Sequence, residues 1–138
     1  MKVMLDLNVI LDVVQNRPPW AESSARVCSI VESGKKIKGY VSAHGITTVY
    51  YIARKNAGRQ VAEQAIDWLL GLCDPCPCDR RVFQRARSLP LADFEDAVVV
   101  ASAEAAKCDY IVTRNVQHFR ESPVPAITPV DLLDIIAK

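Results

Sequence analysis

The stretch LADFEDAVVVASAEAAKCDYIVTRN, Leu91 to Asn115, constrains the fold more than any other part of the chain. Asp93 is placed to cap a helix, Glu95 and Asp96 fall in its first turn, and Ala97 to Ala106 is apolar on nearly every side before Lys107. Such a helix belongs in an interior rather than on a surface. After Cys108-Asp109, the aromatic and β-branched run Tyr110-Ile111-Val112 predicts a buried strand that stops at Thr113-Arg114-Asn115. Polar residues therefore stand where two buried elements begin and end. Asp93 and Asp96, three apart, leave the helix start on nearly one face, and two carboxylates so placed repel unless a cation joins them.

The rest of the chain alternates in the same way. Lys2 to Leu5 reads as a short strand, followed by Asp6-Leu7-Asn8 and a helix over Val9 to Val14 that Pro18 and Pro19 bring to an end. A second helix runs from Trp20 to a stop at Gly34. Lys38 to Val41 is a weak strand, and Ser42 is placed to cap a helix that ends near Gly58. Arg59 to Leu72 repeats the helical period, Asp74-Pro75 breaks it, and Cys76-Pro77-Cys78 reads as a short strand. Asp79 caps a basic helix to Ser88, with Val82, Phe83 and Ala86 expected inward and the arginines largely outward. Beyond Asn115, Ala126-Ile127 precedes a last helix opened by Thr128-Pro129. Alternating strands and helices call for an α/β fold whose mostly parallel sheet is covered on both faces, with sites at the strands' carboxyl ends. Asp6 follows the first strand, Asn115 follows the strand at Tyr110, and Asp93 and Asp96 open the helix that feeds it, so all four are expected on one rim.

At 138 residues the chain is expected to be one domain over its whole length, able to bury a core without disulfides. No run approaches a membrane span, and MKVMLDLN sets an aspartate where a secretory signal needs apolar residues, so a cytoplasmic protein without a membrane partner is expected. The five cysteines, odd in number and mostly within apolar runs, suit reduced thiols. Cys73, Cys76 and Cys78 lack a second Cys or His pair at finger-like spacing and read as small buried hydrophobes. A net charge of +1 neither requires nor excludes nucleic acid, so any such binding must come from local patches.

Oxygen ligands without matched histidines or thiols suit Mg²⁺ or Mn²⁺, which keep several waters and bridge to phosphate oxygens, and a phosphodiester substrate follows. Each residue also has a local use: Asp93 and Asp96 as anions at a helix start, Asp6 and Asn115 in turns. The combination of a strand-end aspartate, a carboxylate pair on a buried helix and a strand-end Thr-Arg-Asn is harder to assign to independent caps.

Those residues resemble the PIN domains, metal-dependent nucleases that include the VapC-type toxins of toxin-antitoxin pairs. The matching pieces are VMLDLNVILD, VSAHGITTVYYIARK, DFEDAVVVASAEAAKCDYIVTRNVQHF and PAITPVDLL. The resemblance implies a three-layer α/β/α sandwich of about five strands and a Mg²⁺- or Mn²⁺-dependent endoribonuclease. It further implies Asp6 and Asp96 as metal-binding carboxylates, Asp93 as a supplement, and Asn115 and Thr113 as polar contacts. An antitoxin protein and a homodimer are the implied partners besides RNA. Two departures stand out: Thr48 occupies the position of a frequent glutamate, and His118 that of a frequent aspartate. Fewer carboxylates weaken metal binding, although Thr48 could hold a metal-bound water. The alternative is a PIN-fold domain that binds RNA or a protein without cleaving.

Arg114 is expected near the metal, binding phosphate or neutralising the carboxylates. Arg80, Arg81, Arg85 and Arg87, with Lys35, Lys36, Lys38, Arg54, Lys55 and Arg59, could guide RNA or be ordinary solvated faces. His118 and His44 read as surface histidines, with metal ligation or general acid catalysis a second use for His118. Phosphoryl transfer through an aspartyl intermediate also starts from an aspartate after strand one, but Asn8 stands where it needs a second aspartate and no lysine is well placed. Tyr50, Tyr51, Trp68 and the last helix offer apolar surface for association or for the core.

Overall fold

Alternating strand and helix signals become five parallel strands and seven helices in a computed structural model that describes Met1 to Lys138. In chain order these are β1 (Lys2–Leu5), α1 (Leu7–Val14), α2 (Ala21–Ser33), β2 (Lys38–Ser42), α3 (Ala43–Ala57), α4 (Arg59–Leu72), β3 (Cys73–Cys76), α5 (Arg80–Ser88), α6 (Phe94–Ala105), β4 (Tyr110–Val112), β5 (Ala126–Ile127) and α7 (Pro129–Ala137). A short 3₁₀ turn covers Val116–Phe119. The strand order is β3-β2-β1-β4-β5, and every neighbouring pair is parallel.

The side chains of β1 show why the sheet has a layer on each face. Val3 and Leu5 point into a cluster with residues of α1, α2, α3, α4 and α7, among them Val9, Val27, Val49, Leu69 and Leu132. Met4, between them, points into the opposite cluster, built from α5, α6 and the chain after β4. The period of two along a strand thus divides one segment between two cores. Helix α6 buries every residue from Ala97 to Ala103, which its all-round apolarity requires. No helix is long and apolar enough to cross a membrane.

Most element boundaries fall where local chemistry sets them. Asp79, Asp93 and Thr128 each accept a backbone N–H from three residues ahead and start α5, α6 and α7. Gly34 closes α2 in the left-handed conformation at φ 68°, where a side chain would be strained. Three expectations need correction. The third strand is Cys73–Cys76 rather than Cys76–Cys78: β3 is an edge strand, where Pro75 removes no ladder bond from a second neighbour. Phe83 is 39% exposed rather than inward, because Val82 and Ala86 take the buried side of α5. Ser42 stands at the start of α3 but its hydroxyl makes no cap; it bonds His44 Nδ1 and contacts Cys78 and Ser102 instead. Of the aromatic residues expected to offer surface, Tyr51 is 72% exposed, whereas Tyr50 and Trp68 lie partly against the core. All five cysteines are free.

Candidate active site

The chain runs from β1 outward through β2 to β3, then crosses back to β4 on the other side of β1 and continues to β5. The reversal leaves a crevice at the carboxyl ends of β1 and β4, where loops diverge to opposite sides and ligands of open parallel sheets bind. Leu5 is in register with Val112, so Asp6 and Thr113 are the first residues beyond the ladder on either side. The Asp6 backbone N–H donates to Val112 O at 2.9 Å, carrying the pairing one step into the crevice.

Asp6 is 9% exposed, and both its carboxylate oxygens are held. One accepts the Leu7 backbone N–H at 2.8 Å and the other accepts the Thr113 hydroxyl at 2.8 Å. Thr113 Oγ1 in turn accepts the Asn115 backbone N–H at 3.1 Å and the Asn8 side-chain amide at 3.3 Å. A threonine hydroxyl has one proton and two lone pairs, so this one is fully occupied. Thr113, wholly buried, therefore positions Asp6 and has no capacity left for the substrate contact expected of it. Asn8, which the sequence offered only as a mismatch to another motif, is the residue missed here: its amide tethers the hub and its carbonyl oxygen is buried without a partner.

Asp93 and Asp96 arrive from α6. Asp93 Oδ1 accepts the Asp96 backbone N–H at 2.9 Å, so Asp93 has the local capping use as well as a second oxygen that forms no hydrogen bond. The half-buried Asp96 carboxylate forms none at all. Its pKa is pushed up to about 6, first by burial, then by the charges of Asp6 and Asp93, with Glu95 adding and His118 opposing. Burial also raises Asp6, against the pull of the Thr113 hydroxyl, the Leu7 N–H, His118 and Arg114. The charges of Asp6 and Asp93 acting on Asp96, and of His118 acting on both Asp6 and Asp96, place these four groups within one electrostatic neighbourhood. Asn115, half-buried, enters it through its backbone.

Arg114 acts on the acidic residues through its charge, which lowers the Asp6 pKa, but its contacts lie elsewhere: its Nε is 3.0 Å from Asp12 Oδ2 and its guanidinium carbon sits 4.0 Å from the centre of the Trp20 ring, on α1 and at the start of α2. Asp12 is completely buried and also meets Arg17 Nε at 3.1 Å. Neither contact is aligned as a hydrogen bond, so the three groups are held as charge on charge. Burial raises the Asp12 pKa and the two guanidiniums pull it back. Thr48 is half-buried on α3 without a hydrogen bond. It lies one turn beyond Gly45, where an added Cβ would come 2.6 Å from Leu7 Cδ2, so this face of α3 abuts the start of α1. His44 has its Nε2 buried without a partner, and burial lowers its pKa against the charge of Glu95.

Whether these residues suit a divalent ion follows from the donors. All are oxygens, burial raises the pKa values of Asp6 and Asp96, with the charges of Asp6 and Asp93 adding to the rise at Asp96, and Asn8 has a free buried carbonyl oxygen. No three His, Cys, Asp or Glu side chains are gathered closely enough to hold an ion by themselves. Two carboxylates with water completing the shell is the usual Mg²⁺ arrangement, and Asp6 with Asp96 fits it.

A crevice of this kind on a five-stranded parallel α/β/α sandwich is what the PIN-domain family is built on, and the chain belongs to that family: the PIN-domain model matches residues 2–117. Among solved structures, a chain of VapBC2 from Rickettsia felis, bound to a DNA fragment from its promoter, aligns with a TM-score of 0.74 at 15% identity, covering 93% of this chain and 98% of that one. A chain of a toxin-antitoxin complex from Klebsiella pneumoniae gives 0.68 at 18% identity, over 92% and 97%. VapBC-1 from nontypeable Haemophilus influenzae gives 0.68 at 16%, over 94% and 99%. Likeness at these identities speaks for the fold. No curated protein matches the chain.

Proposed function

We propose that the chain is a Mg²⁺- or Mn²⁺-dependent endoribonuclease that hydrolyses phosphodiester bonds at the β1–β4 crevice, and that it is the toxin of a toxin-antitoxin pair. The observation that carries the nuclease is the pair Asp6 and Asp96, half-buried or deeper, with raised pKa values and no cation among their hydrogen-bond partners. Family membership and the fold shared with toxin-antitoxin complexes support the toxin role.

Asp6 and Asp96 would hold the ion, with Asp93 and the carbonyl oxygen of Asn8 alongside. Held there, the ion would supply positive charge to the scissile phosphate and would lower the pKa of water. Around it the chain's own groups have separate tasks. Thr113 and the Leu7 N–H fix the orientation of Asp6, Asp93 fixes the first turn of α6 and with it Asp96, and His118, exposed on the 3₁₀ turn, would contact the substrate strand. Arg114, held by Asp12 and Trp20, secures the loop after α1 beside the crevice. Exposed Tyr51 on α3, and separately Val130 and Ile135 on α7, offer apolar surface for a second copy or an antitoxin, and solution mass measured alone and with a partner would separate them.

The test is cleavage of a mixed RNA pool by purified protein with Mg²⁺ or Mn²⁺, against EDTA and Asp96→Asn. Metal-dependent cleavage lost in the variant is expected. A second reading, a PIN domain that binds without cleaving, is favoured by the missing carboxylates at Thr48 and His118 and by the lack of a closed three-residue ion site. It requires no cleavage and little metal bound by calorimetry.

A further inference from the structure

Two aromatic rings lie together on the surface at the acidic rim. Phe83 of α5 and Phe94, the first residue of α6, have ring centroids 6.4 Å apart at an interplanar angle of 25°, and they remain 39% and 48% exposed. Phe94 follows the cap Asp93 and shares the first turn of α6 with Glu95 and Asp96, so the ring pair stands at the end of α6 that carries the carboxylates. On α5, Arg80 and Arg87 stand three before and four after Phe83 and share its face. Both are exposed and neither forms an ion pair, whereas Arg85 is held by Glu104 at 2.7 Å. Nothing in the core accounts for this pair of rings between unpaired guanidiniums.

We infer that Phe83, Phe94, Arg80 and Arg87 form a platform for a single-stranded segment of the RNA substrate, which rests on the ribonuclease proposal above. A nucleobase stacks on the rings while flanking phosphates meet the guanidiniums, the pairing by which single strands are held without dependence on sequence. Only an unpaired base presents its face for this, since a duplex keeps base faces inside the stack. The first turn of α6 is acidic and repels a phosphate backbone, so the strand is held by its bases and by α5, and one phosphate alone is brought over Asp6 and Asp96. Near-parallel, solvent-open ring faces flanked by guanidiniums match the alternation of flat bases and phosphates along a single strand.

Binding of a fluorescein-labelled 12-nucleotide random-sequence RNA, followed by anisotropy in EDTA so that nothing is cleaved, tests this with two variants. Phe83→Leu with Phe94→Leu keeps apolar volume but removes the stacking faces, and is expected to weaken binding by about tenfold or more. Arg80→Gln with Arg87→Gln is expected to lower the slope of log affinity against log salt by about 1.4. Circular dichroism and melting temperature confirm that both variants are folded. Unchanged binding in both, with wild-type protein that binds and cleaves RNA, overturns the platform and leaves the nuclease standing. Wild-type protein that neither binds nor cleaves the pool overturns both. Variants that bind RNA normally but lose a protein partner reassign the rings to a protein interface.

Discussion

Replacing Asp96 by asparagine is expected to stabilise the metal-free protein while abolishing cleavage. The Asp96 carboxyl forms no hydrogen bond that asparagine would lose, and its pKa rises from 3.8 to about 6 on folding. A raised carboxylate binds protons more tightly in the folded state, so its ionisation costs stability as pH climbs through this interval, and the cost is complete above it. At ~1.36 kcal/mol per unit the shift sets an upper limit of about 3 kcal/mol. Asp96 is partly open to solvent, and screening reduces this to on the order of 1–1.5 kcal/mol. For a chain of this size the gain is a melting temperature higher by about 3–5 °C. Thermal melts in EDTA from pH 4 to pH 8 should show wild type and variant together at the acid end and separating as pH rises towards 6. Mg²⁺ should then stabilise the wild type and not the variant, by mass action. A variant no more stable than wild type at pH 7 in EDTA, or an offset that does not change with pH, would refute the electrostatic account of the site.

Thr113→Val is expected to cost about 1–3 kcal/mol in urea melts, since it strips the buried Asp6 carboxylate of its hydroxyl donor, and to move the pH profile of cleavage upward as Asp6 loses a group that lowers its pKa. An unmoved profile would mean that Thr113 does not govern Asp6. Asp12→Asn removes a buried charge from between two guanidiniums that reach water, and should cost on the order of 2 kcal/mol, below the ~3–5 kcal/mol of a fully buried pair. Trp20 fluorescence should change with it as Arg114 is released, and an identical spectrum would argue against the clamp. Gly39→Ala places a Cβ 2.6 Å from Val31 Cγ1 and 3.1 Å from Cys73 Sγ, so a loss of about 1–3 kcal/mol is expected from chemical denaturation. Thr48→Glu and His118→Asp each return a carboxylate to the crevice side and should lower the Mg²⁺ concentration needed for half-maximal cleavage, a titration that would show no shift if neither residue faces the ion.

What the sequence made legible is what local chemistry decides. Asp79, Asp93 and Thr128 cap the helices they precede, α6 is buried because no side of it is polar, and β1 and β4 end at the polar residues that line the crevice. Asp6, Asp93 and Asp96 could be named from such ends alone. Asp12 could not: an aspartate within a short amphipathic helix looks solvated, and its burial rests on Arg17 together with Arg114, which arrives about a hundred residues later in the chain. The same long-range pairing gives Arg114 a partner in α1 that its neighbours in sequence did not suggest. Phe83 misled because α5 is too short for its apolar residues to define one stripe, and Ser42 because a cap and a buried hydroxyl cluster begin from the same residue. Edge position, which admits Pro75 to a strand, is a property of the sheet and has no mark in the local sequence.

The hydrogen bond from Thr113 to Asp6 joins residues 107 apart. During synthesis, at about 5–20 residues per second, Asp6 leads Thr113 by roughly 5–20 s. For that interval the growing chain has its first carboxylate but neither the hydroxyl that aims it nor the α6 carboxylate docked beside it. The central strand must wait for β4 before the crevice exists, so the acidic centre is among the last features to form on a nascent chain. A chain cut short before β4 carries most of the helices and none of the assembled site.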